Sequence, residues 1–261
     1  MNTATPISLI VSCEHGGNRI PAPYRHLFAD AQALLATHRG YDAGALDMAR
    51  RLARAFDAPL VISTVSRLLV DLNRSAGHRA LYSERSRALS AIQRESVLAA
   101  HYRPYRDRVE STVERAIATG RCVVHISSHS FTPMLDGERR NADVSLLYDP
   151  KRPGERALCD RWSKSLGSRI DPLKVRRNYP YQGRNDGLTS HLRRRFAPGL
   201  YIGVELEMNQ KHVRDGRIPA ALVRAVIESL REGLDVVVRR RPRGTGSRHR
   251  VHAAHVSGMT R

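Results

Sequence analysis

The sequence has few of the residues that hold or anchor a chain by special means. Its three cysteines, Cys13, Cys122 and Cys159, are odd in number, far apart and set mostly inside apolar runs. That pattern argues against a disulfide framework and against a cysteine-based zinc site, and a reducing, cytoplasmic location is expected. No apolar run is long enough to span a bilayer, and residues 1–13 lack the charged start and long apolar stretch of a secretory signal. A soluble protein with no membrane role is therefore expected. Aromatic residues are scarce at 5%, yet 41% hydrophobic residues supply a core, and 261 residues suit one large α/β domain. That composition excludes a disordered chain.

Acids are also in short supply. Against 44 Lys and Arg stand 25 Asp and Glu, a formal net charge of +19. From Arg239 onward the chain loses apolar periodicity and carries seven arginines and no acid, which leaves +12 on residues 1–238. Residues 239–261 read as a disordered basic tail after a single domain at 1–238. Arg50, Arg51 and Arg54 fall on the polar face of a helix pattern and read as a solvated face. Arg193, Arg194 and Arg195 follow a glycine-rich segment, where an anionic small-molecule substrate explains basic residues without requiring nucleic acid.

Short apolar runs at 7–13, 59–64, 67–72, 122–127 and 201–207 read as buried strands, with a further one at 142–148. Helical spacing appears at 43–53, with Asp42 at its start, at 86–119, with Pro104 a candidate break, and at 155–166 and 220–230. Such alternation argues for an α/β fold with a mixed, largely parallel sheet. Residues 175–189 read as an irregular loop gathering Asn178, Tyr179, Tyr181, Arg184 and Asp186, a polar and aromatic set suited to binding.

Polar residues cluster just past the strand runs: His15 after the first, Asn73 and Arg74 after the third, His129 after the fourth, Glu205 and Glu207 within the last. The ligand crevice of open α/β sheets lies at the carboxyl ends of strands. Two histidines and a carboxylate with an open fourth position make a hydrolytic zinc site. The sequence has no H-E-x-x-H or H-x-x-E, so the carboxylate lies open among Glu14, Asp42 and Asp47, with Asn18 a poorer neutral donor. Asp42 is preferred because a helix start places a carboxylate rigidly. Glu205 and Glu207 share a strand face, and one of them can serve as general base. Arg67, Asp71, Asn73 and Arg74 suit carboxylate recognition, because arginine offers a planar fork and asparagine a directional donor.

These residues resemble the N-formylglutamate amidohydrolase family of carboxypeptidase-like zinc amidohydrolases. The likeness runs over about 12–210. It rests on Ser12-Cys13-Glu14-His15-Gly16-Gly17-Asn18-Arg19-Ile20-Pro21, Tyr41-Asp42-Ala43-Gly44-Ala45, Ser66-Arg67-Leu68-Leu69-Val70-Asp71-Leu72-Asn73-Arg74, His129-Ser130-Phe131-Thr132-Pro133 and Asn178-Tyr179-Pro180-Tyr181. It implies a three-layer α/β/α fold of phosphorylase/hydrolase-like type, zinc on His15, Asp42 and His129, and hydrolysis of an N-acyl, foremost N-formyl, acidic amino acid. By the same likeness Asp71, Asn73 and Arg74 match a D-x-N-R signature that binds a substrate carboxylate. Arg67 matches an oxyanion-stabilising arginine, and Glu207 matches the catalytic acid better than Glu205. Tyr181 joins the substrate-binding set, and Arg184 is expected to take a side-chain carboxylate. Alternative readings are a deacylase of another N-acyl amino acid or small peptide, or a non-catalytic nucleic-acid-binding protein on the same fold, whose affinity would fall steeply with salt.

Overall fold

A computed structural model of the chain describes residues 6–239; the tail expected at 239–261 lies, apart from Arg239, outside the described residues. Strand β1 (Ile7–Cys13) leads through a 3₁₀ turn at Ala22–Phe28 and the short α1 (Gln32–Leu35) into α2 (Ala45–Phe56) and β2 (Leu60–Ile62). Helices α3 (Glu84–Arg87), α4 (Ala91–Val97) and α5 (Arg103–Ala118) precede β3 (Cys122–Phe131) and a hairpin of β4 (Met134–Leu135) and β5 (Glu138–Arg139). The chain continues through β6 (Val144–Leu147), α6 (Pro153–Gly167), β7 (Val175–Arg177), α7 (Leu188–Arg195), β8 (Tyr201–Asn209) and α8 (Ala220–Arg239).

The sheet has the order β2-β1-β3-β8-β6-β7. Its neighbours run parallel except β6 against β8, so it is mixed and mostly parallel. Helices cover both faces, giving a three-layer α/β/α architecture. Every residue of β3 and β8 is buried, which is why these strands read as unbroken runs rather than alternating ones.

The two faces differ in chemistry. Leu9, Val11, Val124, Ile126, Val204 and Leu206 point to one side and pack with Met48 and Leu52 of α2, Leu158 and Trp162 of α6, and Val226 and Leu230 of α8. Burying each such side chain contributes roughly 1.5–3 kcal/mol. On the other face Ile10, Val123 and Tyr201 join a second apolar cluster with Tyr105 and Val109 of α5 and Leu192 of α7. By the two-residue period this second face also carries Ser12, His125, Ser127, His129, Glu205 and Glu207, all buried. A polar layer therefore runs beneath α5 and α7 toward the strand ends.

Several expected elements differ. Residues 67–72 form turns, not a strand: Leu69 N–H donates to Ser66 O, Arg67 N–H to Gly40 O and Asp71 N–H to Leu81 O. The apolar run is buried by packing in the second cluster, and burial alone does not tell a strand from a turn. The helix expected over 86–119 is interrupted twice. A capping box between Ser90 and Gln93 starts α4 afresh. A π turn at Leu98–Tyr102, closed by Arg103 N–H donating to Leu98 O, then accommodates Pro104, which has no N–H of its own. The loop expected over 175–189 includes β7 and the start of α7, and the last helix runs on to Arg239.

Candidate active site

The exit from β1 is held tightly, with Gly16 N–H donating to Ser63 O at 3.0 Å and Asp42 N–H donating to His15 O at 2.9 Å. Glu14, His15 and Asp42 are buried there. Two residues on, Gly44 turns the chain at φ 79°, and a Cβ would stand 2.8 Å from Val213 Cγ2; only glycine meets both demands. Helix α2 begins at Ala45, three residues later than Asp42, and has no side-chain cap. The Asp42 carboxylate is thus free of capping and meets two histidines instead.

His129 Nδ1 lies 2.9 Å and His15 Nδ1 3.4 Å from Asp42 Oδ2. The two rings stand 5.2 Å apart at 61°. Each ring's other nitrogen faces a second carboxylate, His15 Nε2 with Asp71 Oδ1 at 2.7 Å and His129 Nε2 with Glu14 Oε2 at 2.9 Å. Donor atoms of His15, Asp42 and His129 all lie within 4.8 Å of one another. Two imidazoles and a carboxylate suit a zinc ion, and a carboxylate on the far nitrogen fixes the tautomer of a ligating ring. The donor set therefore fits a metal. Asn18 Nδ2 donates to Leu35 O, and Asp47 pairs with Arg51 and accepts from Ile218 N–H; both are engaged elsewhere.

Charge in this cluster is strongly coupled. Arg67 Nη1 donates to Asp42 Oδ1 at 3.2 Å and Nη2 to Asp71 Oδ2 at 2.8 Å. Burial alone would raise the Asp42 carboxyl, but the charge of His15, hydrogen bonds from both histidines and Arg67 hold it far below the usual range. Burial likewise opposes ionisation of Asp71 and Glu14, and Arg67 with His15 in one case and His129 in the other overcome it. The histidines respond in kind: burial resists, yet Asp71 and Asp42 push His15 up, and Asp42 and Glu14 push His129 up further. The carboxylates create a negative potential that a metal cation would satisfy as well as imidazole protons do.

On β8, Glu205 pairs in register with Ser127 of β3 and Glu207 with His129. Glu205 Oε1 accepts from Thr189 Oγ1 at 2.7 Å. Glu207 is buried, and its Oε2 has no hydrogen-bond partner among the described residues. Burial pushes its carboxyl up to about 7 against the pull of His129, and the charges of Asp42 and Glu205 add to the rise. Asn73 Oδ1 accepts from Leu188 N–H at 2.7 Å, which leaves its amide nitrogen as a donor. Arg74 Nη1 donates to the Asp186 carbonyl at 2.8 Å.

One cavity brings together His15, Asp42, His129, Glu207, Arg67, Asn73, Arg74 and Tyr181. Arg184 is exposed and stands outside its lining. Arg193 is not available to a substrate either: its Nε donates to Glu155 at 2.9 Å and its Nη2 to Gly203 O at 2.9 Å. It ties α7 to β8. Arg195 is engaged by Glu110 and Glu114.

A model of the N-formylglutamate amidohydrolase family matches residues 7–214. The chain belongs to that family. Among solved structures, a gene product of Agrobacterium tumefaciens is 29% identical with a TM-score of 0.76, over 89% of this chain and 92% of that one. The N-formylglutamate amidohydrolase of Ralstonia eutropha JMP134 has the same fold at 18% identity, with a TM-score of 0.67 over 89% of this chain and 96% of that one. No curated protein matches the chain. By family the chain is an amidohydrolase, and none of its described helices is long and apolar enough to cross a membrane.

Some residues of this candidate site escape a reading of the sequence. Tyr105, from the first turn of α5, donates to Glu14 Oε1 at 2.7 Å, and Ser127 donates to Glu14 Oε2; nothing in a helix or strand pattern marks such partners. Thr189, which distinguishes Glu205 from Glu207, is equally silent. Arg140 lines the cavity and had a signal: Asp136-Gly137 is a two-residue hairpin turn with both φ angles positive, and Arg140 is its exit.

Proposed function

We propose that this amidohydrolase is zinc-dependent and hydrolyses an N-formyl acidic amino acid such as N-formylglutamate, releasing formate and the amino acid. The reading is carried by one observation: a buried glutamate, Glu207, with an oxygen that has no hydrogen-bond partner among the described residues, opens into the same cavity as the three-donor group His15, Asp42 and His129. Those three residues would hold the ion. When bound, it supplies Lewis acidity to a water and to the acyl carbonyl oxygen.

Glu207 moves the proton. With its carboxyl near 7, Oε2 takes a proton from the attacking water and later delivers it to the amide nitrogen as the C–N bond breaks. The formyl carbon gains the water's oxygen and leaves as formate. Arg67, gripped by Asp42 and Asp71, is held rigid with N–H groups to spare for the developing oxyanion. The free amide nitrogen of Asn73 and the guanidinium of Arg74 hold the α-carboxylate. Tyr181 supplies a ring at the cavity wall.

Metal analysis of purified protein, followed by assay against a panel of N-acyl amino acids, tests the reading. About one zinc per chain is expected, lost in His15→Ala and His129→Ala, with N-formylglutamate turned over faster than N-acetyl or neutral N-formyl analogues. Full metal content in both variants, or no hydrolysis of any N-formyl amino acid by zinc-loaded protein, would reject it.

A further inference from the structure

Three arginines line the cavity: Arg67, Arg74 and Arg140. The first is bound by two carboxylates and the second by the Asp186 carbonyl. Arg140 differs. Among the described residues it has no acidic partner, and its guanidinium lies over the Tyr181 ring with Cζ 5.0 Å from the centroid. A half-buried cation resting on an aromatic face keeps its planar donor edge unfilled. Its backbone is anchored: Arg140 N–H donates to Pro133 O at 2.9 Å, and buried Asn209, at the end of β8, donates to Arg140 O at 3.4 Å and Ala142 O at 2.7 Å. The positive field is felt nearby. His38, another residue of the lining, is pushed below its ordinary value by burial and then by Arg140, Arg39 and Arg67.

We infer that Arg140 is the specificity-determining residue for a second carboxylate, so that the site takes a dicarboxylate held by Asn73 and Arg74 at one end and by Arg140, steadied on Tyr181, at the other. This rests on the reading of the site as one for N-formyl amino acids. It gives the β4–β5 hairpin a role in substrate choice and transfers to its exit residue the part that sequence reasoning gave to Arg184. A monoamide of the same shape would leave the fork without its charge-assisted partner.

The experiment compares zinc-loaded wild type with Arg140→Met, which keeps a long apolar stem over Tyr181, and Arg140→Lys, which keeps charge but lacks the fork. Two readouts are taken. In kcat/KM, the preference for N-formylglutamate over N-formylglutamine should fall about 30- to 100-fold in Arg140→Met and recover in part in Arg140→Lys. By calorimetry, glutarate should bind wild type more tightly than its monoamide, and Arg140→Met should erase that difference. A wild type indifferent between glutarate and its monoamide, or a variant that keeps the full preference, overturns the assignment. Failure to hydrolyse any N-formyl amino acid would instead sink the functional reading, and the glutarate comparison would still decide for or against Arg140.

Discussion

Glu205 and Glu207 stand on one face of β8, yet Thr189 satisfies the first while Oε2 of the second has no partner among the described residues. Glu207→Gln should lower turnover roughly a hundredfold or more while zinc content holds; near-normal turnover would remove Glu207 as the base. The same variant should alter stability with pH. Burial raises the folded Glu207 carboxyl from 4.5 to about 7, so its contribution is fully present below the lower value and is lost as pH rises through the higher one. In metal-free protein Glu207→Gln should therefore gain stability over wild type at pH 8 relative to pH 5, by as much as about 3 kcal/mol. Denaturant melts at the two pH values read this directly, and a difference independent of pH would count against it. Asp71 offers a second test, because it orients His15 and Arg67 without belonging to the donor group. Asp71→Asn should weaken zinc binding about 10- to 100-fold in chelator competition; unchanged affinity would show that His15 needs no such partner. The two histidines of the donor group could be named from the sequence because each follows an apolar run, whereas Asp42 is chosen as the start of a helix that begins three residues later. The strand period alone could not separate Glu205 from Glu207, since it places both on one face and the deciding hydroxyl comes from α7.

Among the elements, strands and helices with strong periodicity were legible, and turns that bury apolar residues were not. The run at 67–72 reads as a strand because Leu68, Leu69, Val70 and Leu72 are apolar, but its backbone groups bond to loops. The site keeps its geometry, because a turn also brings Arg67 within reach of Asp71 four residues on. The segment after β7 was readable as a binding loop but not as to what holds it. Asn178 Oδ1 accepts from Tyr148 N–H and Gly183 N–H, each at 3.0 Å, and Arg193 Nη1 donates to Gly183 O. Gly183 is pressed so closely that a Cβ would lie 2.1 Å from Tyr148 N. Gly183→Ala should therefore displace the loop that carries Tyr181, costing about 1–3 kcal/mol of stability and raising KM for N-formylglutamate roughly tenfold. Thermal melts and steady-state kinetics would show it, and wild-type values in both would mean that the loop yields without consequence.

At the scale of the whole molecule, the sheet has one apolar face and one that carries polar groups into the site, and the fold was legible because the apolar half sets the alternation of strands and helices. The mixed, largely parallel direction is part of that expectation, but not which strand runs against the others, since antiparallel β6 has the same apolar pattern as its parallel neighbours. The boundary expected at residue 238 is tested by truncation before Arg239: kcat/KM for N-formylglutamate and the melting temperature should both stay close to those of the full chain, and a large loss of either would extend the working unit into the tail. Strand β8 is late in the sequence but central in the sheet, between β3 and β6. During synthesis, β1, β2 and β3 can pair while β3 still presents an open edge, and that edge is a template for the wrong partner until residues 201–209 emerge. The strand that closes this edge also brings Glu207. A nascent chain therefore acquires the proposed proton carrier in the same step that ends its exposure to aggregation, and no intermediate short of β8 has a complete catalytic cavity.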